Sequence, residues 1–366
     1  RLNALGLIQK TNNTNESLSK TQRSSSFDSH TNQPVQNKAE KKPIRLLLVD
    51  DSAAIRGILS KTLRDIPGIK VIGTAADGEK ALTFLEKEQV DIVLLDIEMP
   101  VMDGIETLRR IREKYSRLPV VMFSSLTERG AKATLESLVA GANDYVAKPT
   151  ATDNDSIVAR IESELVPKLR AVYRPPGTNK ECGNHTASTK SPIQSRWTKK
   201  SQNISVIVIG VSTGGPSALA EILPHLTVAD APPIVVVQHM PKEFTGHLAE
   251  RLSKMCKHRV SEASHGQALQ PEHIYLAPGG SHLEIQKRSK AFILALHNGP
   301  PENSCRPSAD VLFRSAAKIF HSDTLALVLT GMGNDGLQGC KMIASEGGVV
   351  IAQDEPTRVV GGMPGD

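Results

Sequence analysis

The chain has 366 residues, which is typical of two or three domains that each bury a hydrophobic core. A net charge of +5 is mild for that length, and four widely spaced cysteines without a C-x-x-C pair argue against a disulfide framework or a structural zinc site. No apolar stretch is long enough to span a bilayer and the N-terminus is too polar for a signal peptide, so we expect a cytoplasmic protein without direct membrane insertion.

The N-terminal segment, residues 1–43, is rich in polar residues and poor in large apolar ones. It cannot bury enough surface to offset the entropy of ordering, so we expect a disordered tail. From residue 44 onward, strand and helix patterns alternate. The predicted strands are 44–49, 70–75, 91–95, 119–124 and 144–147, and the predicted helices are 53–63, 78–87, 104–114 and 128–140. This alternation predicts an α/β domain with a parallel sheet covered on both faces.

Ionisable side chains follow several of these predicted strands. Asp50 and Asp51 close the first strand and Asp96 the third, whereas Ser124 closes the fourth and Lys148 follows the fifth. The carboxyl ends of parallel strands meet at one edge, where three carboxylates would repel unless a cation such as Mg²⁺ lay among them. A lysine and a hydroxyl nearby suit the outer oxygens of a phosphoryl group. Any one acid could be a helix N-cap, but five such residues at one edge indicate phosphoryl chemistry.

The motifs LLLVDDS, LLDIEMPVMDG, MFSS and YVAKP occur in the order and spacing of two-component receiver domains, and residues 44–165 resemble that family. The resemblance implies a flavodoxin-like fold that binds Mg²⁺ and accepts a phosphoryl group from a histidine kinase. The residues implied are Asp96 as phosphoacceptor, Asp50, Asp51, Asp96 and the backbone at Glu98 around Mg²⁺, Ser124 and Lys148 at the phosphoryl group, and Tyr145 as the aromatic switch residue.

A helix is predicted over 156–172, after which the chain becomes polar and basic with frequent Pro and Gly. We assign residues 166–203 to a linker between two domains. Over residues 174–203 only one aromatic residue, Trp197, lies among the basic residues, which favours a solvated linker over a nucleic-acid-binding segment. An output domain that binds nucleic acid is the alternative, but no helix-turn-helix pattern or concentrated basic face follows.

The stretch SVIVIGVSTGGP, residues 205–216, joins an apolar β-branched run to glycines, a serine and a proline. It predicts a buried strand, a tight turn and a helix start. Ser212 lies there in a G-x-S-x-G pattern, which is typical of a nucleophilic serine, but such a turn equally suits phosphate or dinucleotide binding. Against a dinucleotide site, the G-x-G-x-x-G spacing is missing and His239 stands where a ribose-binding acid would end the next strand.

Further strands are predicted over 233–237, 273–276, 291–296, 324–329 and 348–352. His239 directly follows the first of these and is the best placed of the eleven histidines to act as a base for Ser212. Two acids follow later strands, Asp335 in a Gly-rich loop and Asp354 one strand further on. Spacing alone does not choose between these two acids.

The motifs GVSTGGP, VVQHMP, YLAPGG, SCRPSADVLFRSAA, LTGMGNDG and AQDEPTRVVGGMP occur in register with the catalytic domain of the chemotaxis protein-glutamate methylesterases. Residues 204–366 resemble that family, as does the order of receiver, linker and esterase. The resemblance implies a second doubly wound, Rossmann-like domain. It also implies phosphorylation-activated hydrolysis of glutamyl γ-methyl esters and deamidation of glutamines on methyl-accepting chemoreceptors, without a cofactor for the ester chemistry and without nucleic acid.

The family pattern assigns roles to residues at the predicted edge. It implies that Ser212 is the nucleophile, His239 the base and Asp335 the acid, with Thr213 and Met332 at the oxyanion site. We further predict that the unphosphorylated receiver packs over the Ser212 edge and blocks it.

Two departures from the family carry expectations of their own. Cys305 precedes Arg306-Pro307 where another residue is usual, and we expect a small buried thiol there. The family continues past the GMP motif, so we expect residue 366 to mark a truncated C-terminus.

Overall fold

The computed structural model describes residues 42–125, 127–148, 154–175 and 203–365. The predicted N-terminal tail, up to residue 41, and residues 176–202 of the predicted linker lie outside these ranges. Within them the fold class is the predicted one, two α/β units that are each built on a parallel sheet. No helix in the described ranges combines the length and apolarity needed to cross a bilayer.

The first unit has five parallel strands in the order β2-β1-β3-β4-β5. Its strands are nearly continuous apolar runs because helices cover both faces. The strands are β1 (Ile44–Val49), β2 (Ile69–Ala75), β3 (Ile92–Asp96), β4 (Val120–Ser124) and β5 (Asp144–Ala147). The helices between them are α1 (Ala53–Arg64), α2 (Gly78–Lys87), α3 (Gly104–Lys114) and α4 (Glu128–Val139).

Side chains other than the predicted site acids cap these four helices. Ser52, Asp77, Asp103 and Thr127 each accept a hydrogen bond from a backbone N–H in the first turn of the helix that follows. The acids at the ends of β1 and β3 are therefore not needed as N-caps, which removes the structural alternative for that cluster.

The helical segment after β5 is continuous but irregular. It consists of α5 (Asn154–Arg160), a π-helical turn (Ile161–Leu165) and α6 (Val166–Val172). Leu169 and Val172 are buried in the core of the first unit, so the helical packing runs past the predicted start of the linker.

The second unit has six parallel strands in the order β13-β12-β6-β7-β9-β8. The strands are β6 (Val206–Val211), β7 (Ile234–Gln238), β8 (Arg259–Glu262), β9 (His273–Leu276), β12 (Thr324–Val328) and β13 (Val349–Ala352). The helices are α7 (Gly215–Leu226), α8 (Lys242–Met255), α9 (Ala309–Phe320), a 3₁₀ turn (His321–Asp323) and α10 (Leu337–Ser345).

The predicted strand at 291–296 does not enter this parallel sheet. It forms β11 (Ala291–His297), which pairs antiparallel with β10 (His282–Arg288) in a separate hairpin. Leu283 and Ile285 of the hairpin belong to the same hydrophobic cluster as residues of α9. Strands β8 and β10 have only weak sequence patterns and were not predicted, because each is short or largely polar, with few buried residues.

The central strand β6 marks the point where the direction of winding reverses. The chain passes from β6 to β7 on one side and returns later to β12 on the other, so a crevice opens at their carboxyl ends. A Cβ on Gly210 would lie 2.9 Å from the Cβ of Ala309 and 3.0 Å from the ring of Phe313. Glycine in β6 therefore lets α9 pack directly on the strand and brings its N-terminus to the crevice.

Candidate active site

Asp335 is held in the loop after β12 and is 2% exposed. Its Oδ1 accepts hydrogen bonds from Asn303 Nδ2 at 2.9 Å and Ser308 Oγ at 2.7 Å, and its Oδ2 accepts one from the backbone of Ala309 at 2.6 Å. That backbone donor lies in the first turn of α9, where the helix dipole favours a negative charge. Burial would raise the pKa of Asp335, but hydrogen bonds from His239, Ser308 and Asn303 keep it well below its usual range.

His239 lies just beyond β7, with 12% of its side chain exposed. Its Nε2 is 2.7 Å from Asp335 Oδ2, and its Nδ1 is 3.5 Å from Cys305 Sγ. Burial would lower the pKa of His239, but the hydrogen bonds to Asp335 and Cys305 outweigh it and raise the pKa to about 9. Nε2 faces Asp335, which leaves Nδ1 as the nitrogen on the side of Cys305.

Ser212 follows β6, one residue beyond the pair Val211 and Gln238, and so lies in register beside His239. Its backbone N–H donates to Thr330 O at 3.0 Å. A Cβ on Gly331 would come within 2.9 Å of the Ser212 Cβ, so this loop passes the serine closely only because residue 331 is glycine. Among the described residues, the Ser212 hydroxyl has no hydrogen-bond partner.

Gln238 joins the two strand ends and was not predicted as a site residue. Its Nε2 donates to Ser212 O at 3.0 Å and to His239 O at 3.1 Å, and the residue is 2% exposed. One buried amide therefore braces the backbones that carry the serine and the histidine. The available signal was a single amide at the end of the otherwise apolar strand IVVVQ.

Of the two residues implied at the oxyanion site, Thr213 follows Ser212 in the chain and Met332 follows Gly331, where a Cβ would lie 2.9 Å from the Ser212 Cβ. The backbone N–H groups of Thr213 and Met332 donate to no acceptor within the described part of the chain. Thr213 is 4% exposed, whereas Met332 is 38% exposed. Thr213 precedes Gly214, the N-cap of α7, which lies in the left-handed region with φ of 78°. Two unpaired N–H groups beside a serine are the donors that a developing oxyanion needs.

Asp354, the other candidate acid, lies elsewhere. It follows the edge strand β13, which is separated from β7 by β12 and β6. Its carboxylate accepts hydrogen bonds from the backbone N–H of Thr357, at 3.3 Å, and from the Thr357 hydroxyl. Asp354 closes a local turn, so of the two acids only Asp335 contacts His239.

In the first unit the predicted carboxylates come together. Oxygens of Asp50, Asp51 and Asp96 lie within 4.8 Å of one another. Lys148 Nζ is 2.9 Å from Asp50 Oδ2 and 2.8 Å from Asp96 Oδ2. Burial raises the pKa of Asp96 to about 6, with Lys148 opposing and Asp50 adding to the shift. Three oxygen ligands of this kind, one of them on the exposed Asp51, fit Mg²⁺.

The other residues implied in the first unit occupy different places. Glu98 donates its backbone N–H to Asp96 Oδ1 at 3.3 Å, but its carboxylate is at the surface. Ser124 Oγ accepts a hydrogen bond from Thr134 Oγ1 at 2.7 Å and so faces α4. Tyr145 is buried, and burial raises its pKa well above the usual value.

The first unit packs against the serine edge of the second through α4 and β5. Thr213 Oγ1 donates to Asp144 Oδ2 at 2.8 Å, in a buried contact directly beside Ser212. The ring of Tyr145 is 4.9 Å from that of Phe244 on α8. Ser217 on α7 donates to a backbone carbonyl of α4 at 2.8 Å. The neighbour of the candidate nucleophile is thus held by a carboxylate from the other unit.

Two family models match the chain, the response regulator receiver domain over residues 46–162 and CheB methylesterase over residues 207–366. They define the class of the protein, a response regulator whose output domain is a hydrolase. A catalytic domain of CheB methylesterase from Thermotoga maritima is 43% identical, with 44% of this chain and 85% of that chain covered and a TM-score of 0.43.

Whole-length relatives carry the comparison further. A protein-glutamate methylesterase/protein-glutamine glutaminase from Trichodesmium erythraeum is 42% identical, with 88% of this chain and 92% of the relative covered. One of the same name from Nocardioides sp. is 43% identical, with 88% of each chain covered. The chain belongs to the protein-glutamate methylesterase/protein-glutamine glutaminase family.

Proposed function

We propose that this chain hydrolyses glutamyl γ-methyl esters on methyl-accepting chemoreceptors in the cytoplasm, releasing methanol, and deamidates receptor glutamines at the same site. Ser212 is the nucleophile, His239 the base and Asp335 the acid, within a catalytic domain that begins near residue 204. The single observation that carries this proposal is the 2.7 Å contact between His239 and Asp335, at the strand end beside Ser212.

Hydrolysis begins when Ser212 Oγ attacks the ester carbonyl and His239 Nδ1 takes the hydroxyl proton. Asp335 holds the ring by its Nε2–H and stabilises the imidazolium that forms. The backbone N–H groups of Thr213 and Met332 donate to the oxyanion, an effect of about 3 kcal/mol per donor.

The intermediate collapses when His239 gives its proton to the methoxide, which leaves as methanol. Water then attacks the acyl-serine, with Nδ1 again as base, and the products are the glutamate carboxylate and free Ser212. For a glutamine side chain the leaving group is ammonia, and every other step is unchanged.

The receiver, which begins near residue 44, accepts a phosphoryl group on Asp96 from a chemotaxis histidine kinase. When bound, Mg²⁺ would be held by Asp50, Asp51, Asp96 and the Glu98 backbone, and would neutralise charge on the phosphoryl oxygens. Lys148 pairs with Asp50 and Asp96 and is close enough to contact a phosphoryl oxygen. Ser124, now hydrogen-bonded towards α4, is the hydroxyl that turns to a phosphoryl oxygen.

Regulation follows from the contact between the two units. The Asp144 carboxylate holds the Thr213 side chain and Tyr145 packs on Phe244, so the docked receiver covers the serine edge. Movement of Ser124 away from Thr134 alters the first turns of α4, the helix that packs on α7 and α8. Phosphorylation of Asp96 weakens the docked arrangement and opens the site to the receptor helix.

The decisive experiment compares the wild-type chain with Ser212→Ala and, as a matched control, with Ser345→Ala at an exposed helix end. Release of labelled methanol from methylated receptor membranes is measured with and without acetyl phosphate. We expect release that rises with the phosphodonor in the wild-type and control chains and is abolished in Ser212→Ala. Methanol release at the wild-type rate from Ser212→Ala would overturn the assignment.

A further inference from the structure

We propose that Cys305 is a reactive thiol activated by His239, the same residue that serves Ser212, and that covalent modification of Cys305 by soft electrophiles switches the hydrolase off. The proposal rests on the proposed role of His239 as the base of hydrolysis. It differs from the expectation for this cysteine, since Cys305 is half-buried rather than buried and contacts a titratable side chain.

The three side chains have the order of a nucleophile, a base and an orienting acid. Cys305 Sγ is 3.5 Å from His239 Nδ1, and His239 Nε2 is 2.7 Å from Asp335 Oδ2. A thiol next to an imidazole that is itself oriented by a carboxylate transfers its proton readily, and the thiolate is the reactive form.

The loop that carries Cys305 is held in a conformation that directs the thiol towards His239. Asn303 and Ser304 have φ of 51° and 62°, a region that residues other than glycine rarely adopt. Backbone hydrogen bonds of 3.0 and 2.8 Å join Glu302 and Cys305 across this turn. The Glu302 carboxylate forms a bidentate pair with Arg314 on α9, with one contact of 2.6 Å. The turn is therefore fixed at its base, and the Asn303 amide contacts Asp335 from the same turn.

A metal ion at these three residues is the rival interpretation, because their ligand atoms lie within 4.8 Å of one another. Asp335, however, already accepts hydrogen bonds on both oxygens from His239, Asn303, Ser308 and the backbone of α9. Only Nδ1 and Sγ remain as ligands, fewer than a zinc site uses. The arrangement favours thiol chemistry over metal binding.

The remaining described cysteines provide an internal comparison. Burial raises the pKa of the Cys256 thiol, and it raises the pKa of Cys340 to about 12. Neither thiol has a hydrogen bond to a basic side chain among the described residues. Both should react slowly at neutral pH, because little thiolate is present.

Iodoacetamide is a suitable probe because its reaction is fully defined. The Cys305 sulfur attacks the methylene carbon, an S–C bond forms, the C–I bond breaks and iodide leaves. The thiol proton passes to His239 Nδ1 and from there to solvent. The carboxamidomethyl group then occupies the space next to Nδ1, so that Ser212 has no base and hydrolysis stops.

The experiment treats the full chain with iodoacetamide at pH 7, follows each cysteine by peptide mass and measures methanol release in parallel. We expect Cys305 to react at least tenfold faster than Cys256 or Cys340, with activity lost at the rate of Cys305 modification. His239→Gln should slow the modification of Cys305 about tenfold and leave the modification rate of Cys340 unchanged. The unchanged rate at Cys340 also checks that the variant is folded. Cys305→Ala should keep its activity through the treatment.

Ser212→Ala separates this proposal from the proposed function. This variant should lose hydrolytic activity, yet its Cys305 should be modified at the wild-type rate. If the wild-type chain released no methanol but Cys305 still reacted in a His239-dependent way, the proposed function alone would fail. If Cys305 reacted no faster than Cys256, or equally fast in His239→Gln, the thiol proposal would be wrong whatever the outcome for the esterase.

Discussion

Asp96, the last residue of β3, and Asp335, in the loop after β12, are both buried, yet the environments of the two carboxylates shift their pKa values in opposite directions. Burial raises the pKa of Asp96 to about 6, whereas the pKa of Asp335 is held well below its usual range. Asp96 has a backbone donor at 3.3 Å and shares Lys148 with Asp50. Asp335 accepts hydrogen bonds from three side chains and from the first turn of α9.

The difference in hydrogen-bond donors agrees with the role proposed for each carboxylate. A phosphoacceptor must present an oxygen to an incoming group, so it cannot have all its lone pairs occupied by fixed donors. A carboxylate that orients a histidine gains from every donor, because each one fixes its position and its charge. The number of fixed donors therefore distinguishes a reacting carboxylate from a supporting one.

The largest effect should come from removing the charge of Asp335. Asp335→Asn replaces the carboxylate with a neutral amide. His239 Nε2 and the backbone N–H groups at the start of α9 then face a group with fewer hydrogen-bond acceptors. We expect methanol release to fall by about 10³–10⁴-fold, as for the loss of the orienting acid in a serine triad. Asp354→Asn is the matched control and should retain wild-type release. Equal losses in the two variants would refute the assignment of Asp335.

The second effect concerns pH. Since His239 must be neutral to act as a base and its pKa is about 9, methanol release should rise about tenfold per pH unit from 7 towards 9 and then level off. Release by Ser212→Ala is subtracted at each pH. Cys305→Ala removes one cause of the raised pKa, so its rising limb should lie at lower pH. A profile that is flat from pH 7 to 9 would contradict the raised pKa.

A smaller effect is expected at Asp144, a third buried carboxylate, which faces the other unit. Asp144→Asn weakens the hydrogen bond from Thr213, and hydrogen bonds to charged groups contribute about 1.5–3 kcal/mol. We expect methanol release without phosphodonor to rise by about tenfold, and stimulation by acetyl phosphate to shrink correspondingly. Asp65→Asn, at an exposed helix end, controls for the change of charge. Unchanged basal release in Asp144→Asn would argue against the contact as a restraint.

The smallest effect concerns the loops next to the two carboxylates. The loop that carries Asp335 adopts left-handed backbone at Gly333 and Gly336, but the loop after Asp96 does so at Val101, with φ of 68° and 79% exposure. Left-handed backbone costs a β-branched residue about 1–2 kcal/mol, part of which glycine recovers. Val101→Gly should raise the midpoint of thermal unfolding of the receiver by a few degrees. Gly336→Ala should lower that of the catalytic domain.

The sequence predicted the secondary-structure elements, and the sheet edge that carries the candidate site, far better than the side-chain contacts made across that edge. Apolar periodicity placed nearly every strand of both sheets, and the parallel arrangement then brought Ser212 and His239 to one edge. It could not choose Asp335 over Asp354, because that choice depends on strand order, which places β12 and β6 between β13 and β7. Strand β10, the partner of β11 in the hairpin, was missed because a half-exposed polar strand has a weak pattern.

Other site features depend on long-range contacts that no local pattern encodes. Asp144 and Thr213 are 69 residues apart, and Asn303 and Asp335 are 32 apart. Cys305 gave a local signal, since it departs from the family pattern, but its contact with His239 arises from a turn with two left-handed residues. Such turns are set by packing on α9 and are not visible in a linear sequence.

The docked receiver has a further consequence that comes from covalent connection. Two surfaces tethered in one chain meet at an effective concentration that reaches millimolar values, so a contact of modest affinity suffices to hold them together. Reversing a 99:1 preference requires a differential free energy of about 5.5 kcal/mol, within reach of one phosphoryl group and its ion pairs. The free energy that holds together an interface with few polar contacts, such as the one around Thr213 and Tyr145, is therefore small enough for one phosphorylation to reverse. The same two halves expressed as separate proteins would meet only at high concentration.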